Sequence, residues 1–184
     1  DFQKRFERKP EGMWLPETAV DIETLEILAQ YDIKFTILAP HQAKRTRPIG
    51  QKQWQDTNEN PIDITKPYLC KLPSGSQINL FFYQGPVSKD VAYGSLLYSG
   101  DTLAKDIIEI FDQQDDRPQL ANIATDGETY GHHHRRGDMA LAYCVHHIQN
   151  NNLAKITIYA HYLELFPPQH QVEINENTSW SCVH

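Results

Sequence analysis

The sequence predicts an α/β fold in which strands alternate with helices. Several segments carry apolar residues three and four positions apart, the spacing that buries one face of a helix. Short runs of β-branched and aromatic residues lie between them and are typical of buried strands. This alternation favours an α/β barrel or a doubly wound sheet over a meander of hairpins. The 184 residues suffice for one domain, or for part of one.

In the first half of the chain, the patterns predict one helix and three strands. Residues 21–28 have helical spacing and predict a helix of about three turns. Residues 34–38 predict a short buried strand that a proline closes. Residues 69–72 and 78–83 flank a Pro-Ser-Gly turn and predict a strand pair. The polar segment 45–66 predicts a long irregular stretch, which is usually functional or mobile.

The second half predicts further helices. Residues 87–97 and 102–111 carry apolar side chains at helical spacing, and Gly100 between them is predicted to stop the first helix. Residues 139–148 predict a third helix.

Two more strands are expected in this half. Residues 120–124 predict a short parallel strand that leads into a polar loop, which would place Asp126 at the carboxyl end of a strand. Residues 155–159 predict another strand.

Charge and apolar content exclude two partner classes. Lys and Arg number 17 against 24 Asp and Glu, and the net charge of -7 opposes binding to nucleic-acid phosphates. No apolar run is long enough to span a bilayer or to serve as a secretory signal at the start. The sequence therefore predicts neither a nucleic-acid nor a membrane partner.

The cysteines indicate a reducing compartment. Cys70, Cys144 and Cys182 are odd in number and widely spaced, without any Cys-x-x-Cys. We therefore expect a cytoplasmic protein.

Two acidic residues are candidates for catalysis because of their positions. In α/β barrels the active site forms where the strands end, and Glu17 and Asp126 each adjoin a predicted strand end or helix start. Each also has a purely structural explanation. Glu17 suits the first turn of a helix, and Asp126 suits a turn before glycine.

The sequence segments around these two residues resemble segments of one enzyme family. Residues 12–17 read Gly-Met-Trp-Leu-Pro-Glu and resemble the Gly-x-Trp-Leu-x-Glu segment of glycoside hydrolase family 57. Residues 126–131 read Asp-Gly-Glu-Thr-Tyr-Gly and are similar to the Asp-Gly-Glu-x-Phe-Gly segment of that family. The two segments occur in the order found in the family. Each alone is only moderately specific, and together they are a strong signal.

The resemblance implies a function and a fold. It makes Glu17 the catalytic nucleophile and Asp126 the general acid/base of a retaining glycoside hydrolase or transglycosidase that acts on α-glucans, without a cofactor. The two carboxyl groups should then face each other within about 5 to 7 Å. The implied fold is a (β/α) barrel of seven strands. Amylase, branching, glucanotransferase and α-galactosidase activities are not distinguished.

The resemblance covers nearly the whole chain and points to a bacterial subgroup that has a further uncharacterised C-terminal domain. Family members begin with a His-Gln-Pro segment on the first strand, which does not precede Glu17 here. His41-Gln42-Ala43 follows Glu17, so that role is not assigned to it. We therefore expect residues 1–184 to be part of one barrel domain, an incomplete barrel with the middle and later strands. Such a fragment is expected to have little activity and to self-associate through exposed barrel edges.

Five further residues are candidates for contact with sugar. Trp14 and Trp180 offer flat faces for sugar rings, although large aromatics fill cores more often than they bind ligands. Glu128 is a candidate for bonding a sugar hydroxyl or for orienting the acid, and a first-turn helix carboxylate is an equal alternative. His133 and His134 are candidates for bonding substrate hydroxyls.

The histidines also support a rival function. His132, His133 and His134, with His146 and His147 after them, have the density of a metal site. This predicts, as the alternative, a metal-dependent polysaccharide deacetylase or mannosidase on a related barrel. Against it, three consecutive side chains of regular structure cannot all point at one ion. An inactive carbohydrate-binding fragment is a third possibility.

Overall fold

A computed structural model describes residues 1–181 of the protein, and its fold is α/β, as predicted. Cys182, one of the three cysteines on which the predicted location rests, lies outside the described residues. The chain forms two compact units. The first consists of Asp1–Phe82 and the segment that begins at Tyr159, and the second is Tyr83–Ile158.

The first unit contains a mixed sheet of six strands. In chain order these are β1 (Phe35–Leu38), β2 (Ala43–Pro48), β3 (Gln55–Asp56), β4 (Tyr68–Lys71), β5 (Gln77–Phe82) and β6 (His170–Ile174). Their order across the sheet is β1-β5-β4-β6-β2-β3. Strand β1 pairs in parallel with β5, and β4 with β6, while the other three neighbouring pairs are antiparallel.

Residues 1–181 contain six α-helices. They are α1 (Phe2–Phe6), α2 (Ile22–Gln30), α3 (Gly85–Tyr93), α4 (Gly100–Ile108), α5 (Gly137–Asn150) and α6 (Tyr159–Leu165). The predicted helices over 21–28 and 139–148 are confirmed as α2 and α5. Within the described residues, no helix is both long and apolar enough to cross a membrane.

Helix α2 begins at a side-chain cap and buries one face. The Asp21 carboxylate accepts a hydrogen bond from the Thr24 backbone amide at 2.7 Å, the usual role of an N-cap aspartate. Hydrogen bonds from Thr24, the one from its amide being the larger cause, hold the pKa of Asp21 below its ordinary value. Leu25 and Leu28 are buried against the sheet's core cluster, as the apolar spacing predicted.

The core of the first unit lies between α2 and the sheet. Its fully buried members include Leu25, Leu38, Ile78, Leu80 and Phe82. The strand pair β4 and β5 is the predicted hairpin around the Pro-Ser-Gly turn, and Gly75 in that turn has a φ of +89°. A positive φ of this kind is costly for residues with a Cβ, which explains the glycine.

The second unit packs α4 against α5, and Gly100 serves a different purpose from the one predicted. Gly94, not Gly100, follows the end of α3, and its amide donates to Asp90 O at 2.9 Å. Helix α4 starts at Gly100, because the Ser99 side chain accepts from the Thr102 amide at 3.3 Å. A Cβ on Gly100 would lie 2.6 Å from Tyr143 Cδ1, so this glycine allows α4 and α5 to approach closely.

The predicted strand over 120–124 is wrong. This segment belongs to no strand, and its backbone is bonded to the start of α3. The Gln84 amide donates to Asn122 O at 2.9 Å, and the Ala124 amide donates to Ser88 Oγ at 3.0 Å. A backbone bond from the N-cap of α3 and a side-chain bond from within α3 thus take the place of hydrogen bonds to a neighbouring strand.

The predicted strand over 155–159 is also wrong. Ile156 and Ile158 are 50% and 56% exposed, so their alternation does not mark a buried sheet face. Tyr159 instead begins α6, where its ring packs against Phe81 at 4.7 Å and against Phe35 at 5.6 Å between ring centroids. This burial raises the pKa of Tyr159 above its ordinary value.

The segment 45–66 is less irregular than predicted. It contains most of β2 and all of β3. Trp54 lies under two guanidinium groups of β2, with Arg45 Cζ 4.9 Å and Arg47 Cζ 4.2 Å from the ring centroid. Cation–π contacts of this kind stabilise a polar strand that lacks an apolar pattern.

Candidate active site

Glu17 lies on a short 3-10 turn, Pro16–Thr18, whose backbone is strained. The φ of Glu17 is 55° and that of Thr18 is 51°. Non-glycine residues rarely adopt positive φ, and for a β-branched residue such as Thr18 it is a true outlier. Each such residue costs on the order of 1–3 kcal/mol and persists only where the surroundings enforce it. Strain of this type clusters at functional sites, so the turn merits attention as one.

Hydrogen bonds through the buried Thr18 hold this turn. Trp14 Nε1 donates to Thr18 Oγ1 at 2.8 Å. The Thr18 carbonyl accepts from Gln42 Nε2 at 2.8 Å, and the Thr18 amide donates to Leu15 O at 2.9 Å. The side chain, the carbonyl and the amide of Thr18 are therefore all engaged.

The Glu17 carboxylate is exposed and receives donors from the segment that follows β6. Trp180 Nε1 donates to Glu17 Oε2 at 3.1 Å, and Ser181 Oγ lies 3.5 Å from the same oxygen. The Trp180 amide also donates to the Glu17 carbonyl at 3.1 Å. These contacts fix the direction of one carboxylate oxygen, Oε2.

Both tryptophans predicted to contact sugar lie beside Glu17. The rings of Trp14 and Trp180 meet edge to face, with centroids 5.2 Å apart. Each indole N–H is already used inside the protein, on Thr18 and Glu17 respectively, while both side chains are only partly buried. Any sugar contact would therefore be through a ring face, as the sequence predicts, and that role stays a prediction.

Asp126 begins the second predicted segment, in the other unit. It is exposed and directly precedes a 3-10 turn, Gly127–Thr129, whose last residue is buried. The Thr129 amide donates to Asp126 O at 3.1 Å, and Thr125 Oγ1 donates to Tyr130 Oη at 2.9 Å. Asp126 thus begins a hydrogen-bonded loop, although no strand precedes it. Its approach to Glu17 stays a prediction.

The polar residues that follow Asp126 form bonds within the loop and to α3. His133 Nε2 lies 3.8 Å from Glu128 Oε1, and the amides of His132 and His133 both donate to Glu128 O. His134 Nε2 lies 2.8 Å from Ala92 O, in α3, and His134 is the least exposed of the three histidines. Sugar contacts of Glu128, His133 and His134 stay predictions.

The histidines of α5 lie in separate pairs. His146 Nε2 is 2.8 Å from Asn150 Nδ2, and His147 Nδ1 is 3.5 Å from Asp101 Oδ1. Across residues 1–181, no group of three or more His, Cys, Asp or Glu side chains is arranged to hold a metal ion. To form a metal site, several of these histidine side chains would have to leave their present partners and turn toward one another.

A cleft of about 650 Å³ lies near the amino-terminal end of β1, and its lining residues do not include Glu17. Its charged lining forms ion pairs: Arg8 with Glu11, Lys34 with Glu11 at 3.1 Å, and Lys9 with Asp32 at 3.6 Å. The hydrogen bond from Lys34 is the main cause that lowers the pKa of Glu11. Because each cation has a carboxylate partner, the cleft is a weaker candidate for ligand recognition.

Sequence reasoning missed the residues that tie the Glu17 turn to the end of the chain. Gln42, Asn175 and Thr178 form this connection, and Val20 pairs with Thr178 in an antiparallel bridge. The only sequence signal was the polar His41-Gln42 pair directly after a buried strand and a proline. Their partners lie more than 130 positions away, which no local pattern reveals.

The exposed Glu17 carboxylate lies beside two partly exposed indole rings, and carboxyl groups are the side chains that glycoside hydrolases use for catalysis. The family model of glycosyl hydrolase family 57 matches residues 2–175. The chain belongs to glycosyl hydrolase family 57. A comparison with curated proteins finds no match.

Solved structures with this fold share little sequence with the chain. A 4-alpha-glucanotransferase from Thermococcus litoralis superimposes with a TM-score of 0.73 at 16% identity, over 97% of this chain and 26% of that one. An exo-type maltose-forming amylase from Pyrococcus sp. ST04 gives 0.71 at 16% identity, over 98% and 30%. A branching enzyme from Pyrococcus horikoshii gives 0.71 at 17% identity, over 98% and 42%.

These similarities confirm the predicted fold class, a part of the (β/α) barrel found in this family. The chain spans less than half the length of each of these three structures. In this chain, that part of the barrel consists of a mixed sheet that includes antiparallel strand pairs.

Proposed function

We propose that the protein containing this chain is a retaining glycoside hydrolase or transglycosidase that acts on α-glucans. Membership of glycosyl hydrolase family 57 supports this, as do structural relatives described as a glucanotransferase, a maltose-forming amylase and a branching enzyme. The observation that carries the proposal is the exposed Glu17 carboxylate on its strained turn, with Trp180 donating to one oxygen.

In the first step, Glu17 acts as the nucleophile. One carboxylate oxygen attacks the anomeric carbon, the glycosidic C–O bond breaks, and Asp126 gives its proton to the departing oxygen. The hydrogen bond from the Trp180 N–H restricts rotation of the Glu17 carboxylate. The attacking carboxylate oxygen is therefore held in one direction relative to the anomeric carbon.

In the second step, Asp126 acts as the base. It takes a proton from water, or from a sugar hydroxyl in a transglycosylase, as that oxygen bonds to the anomeric carbon. The bond to Glu17 breaks and its carboxylate is restored. Two inversions leave the anomeric configuration unchanged, which is the meaning of retention.

The remaining predicted residues would hold the glucan. Trp14 and Trp180 present partly exposed rings near Glu17, and such rings stack on sugar faces. Glu128 and His133 are exposed polar groups near Asp126 in sequence, and they would bond hydroxyls, as would the less exposed His134. We further propose a cytoplasmic location, which the odd number of cysteines supports.

The proposal is tested by incubating the full translated protein with maltooligosaccharides, amylose and branched glucans. We expect cleavage or transfer on at least one α-glucan, with the α-anomer as the first product in proton NMR. Substrates with β-linkages serve as the control and should remain intact. Release of the β-anomer from an α-glucan would contradict the retaining mechanism.

A chelation experiment separates this proposal from the metal-dependent deacetylase or mannosidase alternative. Because carboxyl groups alone carry the proposed chemistry, dialysis against EDTA is expected to leave kcat within about twofold of its starting value. A metal-dependent enzyme of the rival class would lose its activity and regain it with Zn²⁺. Metal content after purification, measured by mass spectrometry, provides the independent check.

Residues 1–184 expressed alone provide a separate comparison with the full protein. We propose that this piece binds α-glucans weakly, turns them over slowly and self-associates through a sheet edge. Size-exclusion chromatography and the same glucan assay measure both properties. A monomer with the activity of the full protein would contradict the expectation.

A further inference from the structure

Gln42 is a fully buried polar side chain whose amide nitrogen donates to two distant segments of the first unit. It ends the 3-10 turn Pro40–Gln42 that follows β1, and its exposed fraction is 0%. Its Oε1 accepts from the Ala39 amide at 2.8 Å. Its Nε2 donates to the Thr18 carbonyl at 2.8 Å and to the Thr178 carbonyl at 3.2 Å. Both halves of the amide are therefore satisfied, as burial requires.

The two carbonyls that Gln42 holds belong to the two segments that meet at Glu17. Thr18 directly follows Glu17, and Thr178 lies two residues before Trp180, whose indole N–H donates to the Glu17 carboxylate. One side chain thus connects the turn that carries the carboxylate with the segment that supplies its donor.

The backbone of the turn makes this connection necessary. Glu17 and Thr18 both have positive φ, a conformation that would relax if the surroundings did not enforce it. Gln42 bonds the Thr18 carbonyl from one direction, and Trp14 bonds the Thr18 hydroxyl from another. Loss of the Gln42 bond would leave a buried carbonyl without this donor and would favour rotation of the turn, with Glu17 moving as it does so.

We propose that Gln42 is a positioning residue that sets the direction of the Glu17 carboxylate for attack, without touching the substrate. The inference rests on the proposed function of Glu17. It assigns a catalytic consequence to a buried amide on a different element, which acts through Thr18 and through the segment of Trp180.

The test compares two buried glutamines. Gln42→Met removes the amide at similar volume, and Gln171→Met makes the same change on β6, where Gln171 is 5% exposed and accepts from Arg47 Nε at 2.9 Å. In the full protein, Gln42→Met should lower kcat by about a hundredfold with KM nearly unchanged, since a misplacement of about 1 Å has that effect. Gln171→Met should keep kcat within about twofold, even if its Tm falls equally.

Covalent labelling of Glu17 provides a readout that a merely structural role would not change. A 5-fluoroglycosyl fluoride of an α-glucan disaccharide traps a nucleophile, because a bond forms from the carboxylate to the anomeric carbon while fluoride leaves. Mass spectrometry of the labelled peptide gives the rate. Folded Gln42→Met should label about a hundredfold more slowly than wild type, and Gln171→Met at the wild-type rate.

Gln42→Asn is the second variant and decides the matter if Gln42→Met does not fold. It keeps an amide one methylene shorter, so kcat and the labelling rate should fall together by about tenfold. Wild-type kcat and labelling in either folded Gln42 variant would overturn the inference. Two other outcomes would overturn the proposed function instead. These are an active Glu17→Ala enzyme, and a label on a residue other than Glu17 while Gln42→Met is impaired.

Discussion

Replacing Glu17 by Ala is expected to lower kcat on an α-glucan by about five orders of magnitude, which corresponds to about 7 kcal/mol of transition-state stabilisation. The side chain is exposed and accepts a hydrogen bond from the Trp180 indole, so its removal leaves no buried charge unpaired and the fold should remain intact. Steady-state kinetics and circular dichroism of the full protein measure the two effects.

An experiment with azide tests whether Glu17 is the nucleophile, and not only whether it is needed for activity. In Glu17→Ala, azide enters the space of the lost carboxylate and attacks the anomeric carbon of an α-glycosyl fluoride as fluoride leaves, which gives a β-glycosyl azide. Glu23→Gln, an exposed carboxylate in the first turn of α2, is the matched control and should keep the wild-type rate. An active Glu17→Ala enzyme would refute the assignment.

Replacing Asp126 by Ala is expected to produce a loss that depends on the leaving group. A general acid contributes about 10² to 10⁴ to the rate, so kcat on a glucan, whose departing oxygen needs a proton, should fall by about that factor. An α-glycosyl fluoride needs no proton to leave, and formation of the glycosyl-enzyme from it should be nearly unaffected. Stopped-flow measurement of fluoride release separates this step from hydrolysis.

The azide product of Asp126→Ala has the opposite configuration from that of Glu17→Ala. Azide attacks the glycosyl-enzyme without needing a base, and the second inversion gives an α-glycosyl azide. Asp138→Asn, an exposed first-turn carboxylate of α5, is the control and should behave as wild type. Equal losses on glucan and fluoride would contradict an acid/base role for Asp126.

The sequence predicted those elements whose signals are local. Helix α2 has its cap at Asp21 and its apolar face within nine residues, and the hairpin of β4 and β5 has its turn residues between its strands. The segments 120–124 and 155–159 carried equally apolar runs and are not strands. Whether such a run joins a sheet depends on an available neighbouring strand, and that neighbour is not encoded in the run itself.

The candidate site divides in the same way. By itself, the sequence predicted the family and the fold class, because short motifs occur in a fixed order along the chain. It also singled out Glu17 and Asp126 as the carboxylate pair, an assignment that stays a prediction. Only the tertiary structure revealed the strained Glu17 turn, its Trp180 donor and the buried Gln42 that connects them. These contacts join residues 24 to 163 positions apart, and hydrogen bonds over such separations form only when the folded chain brings their partners together.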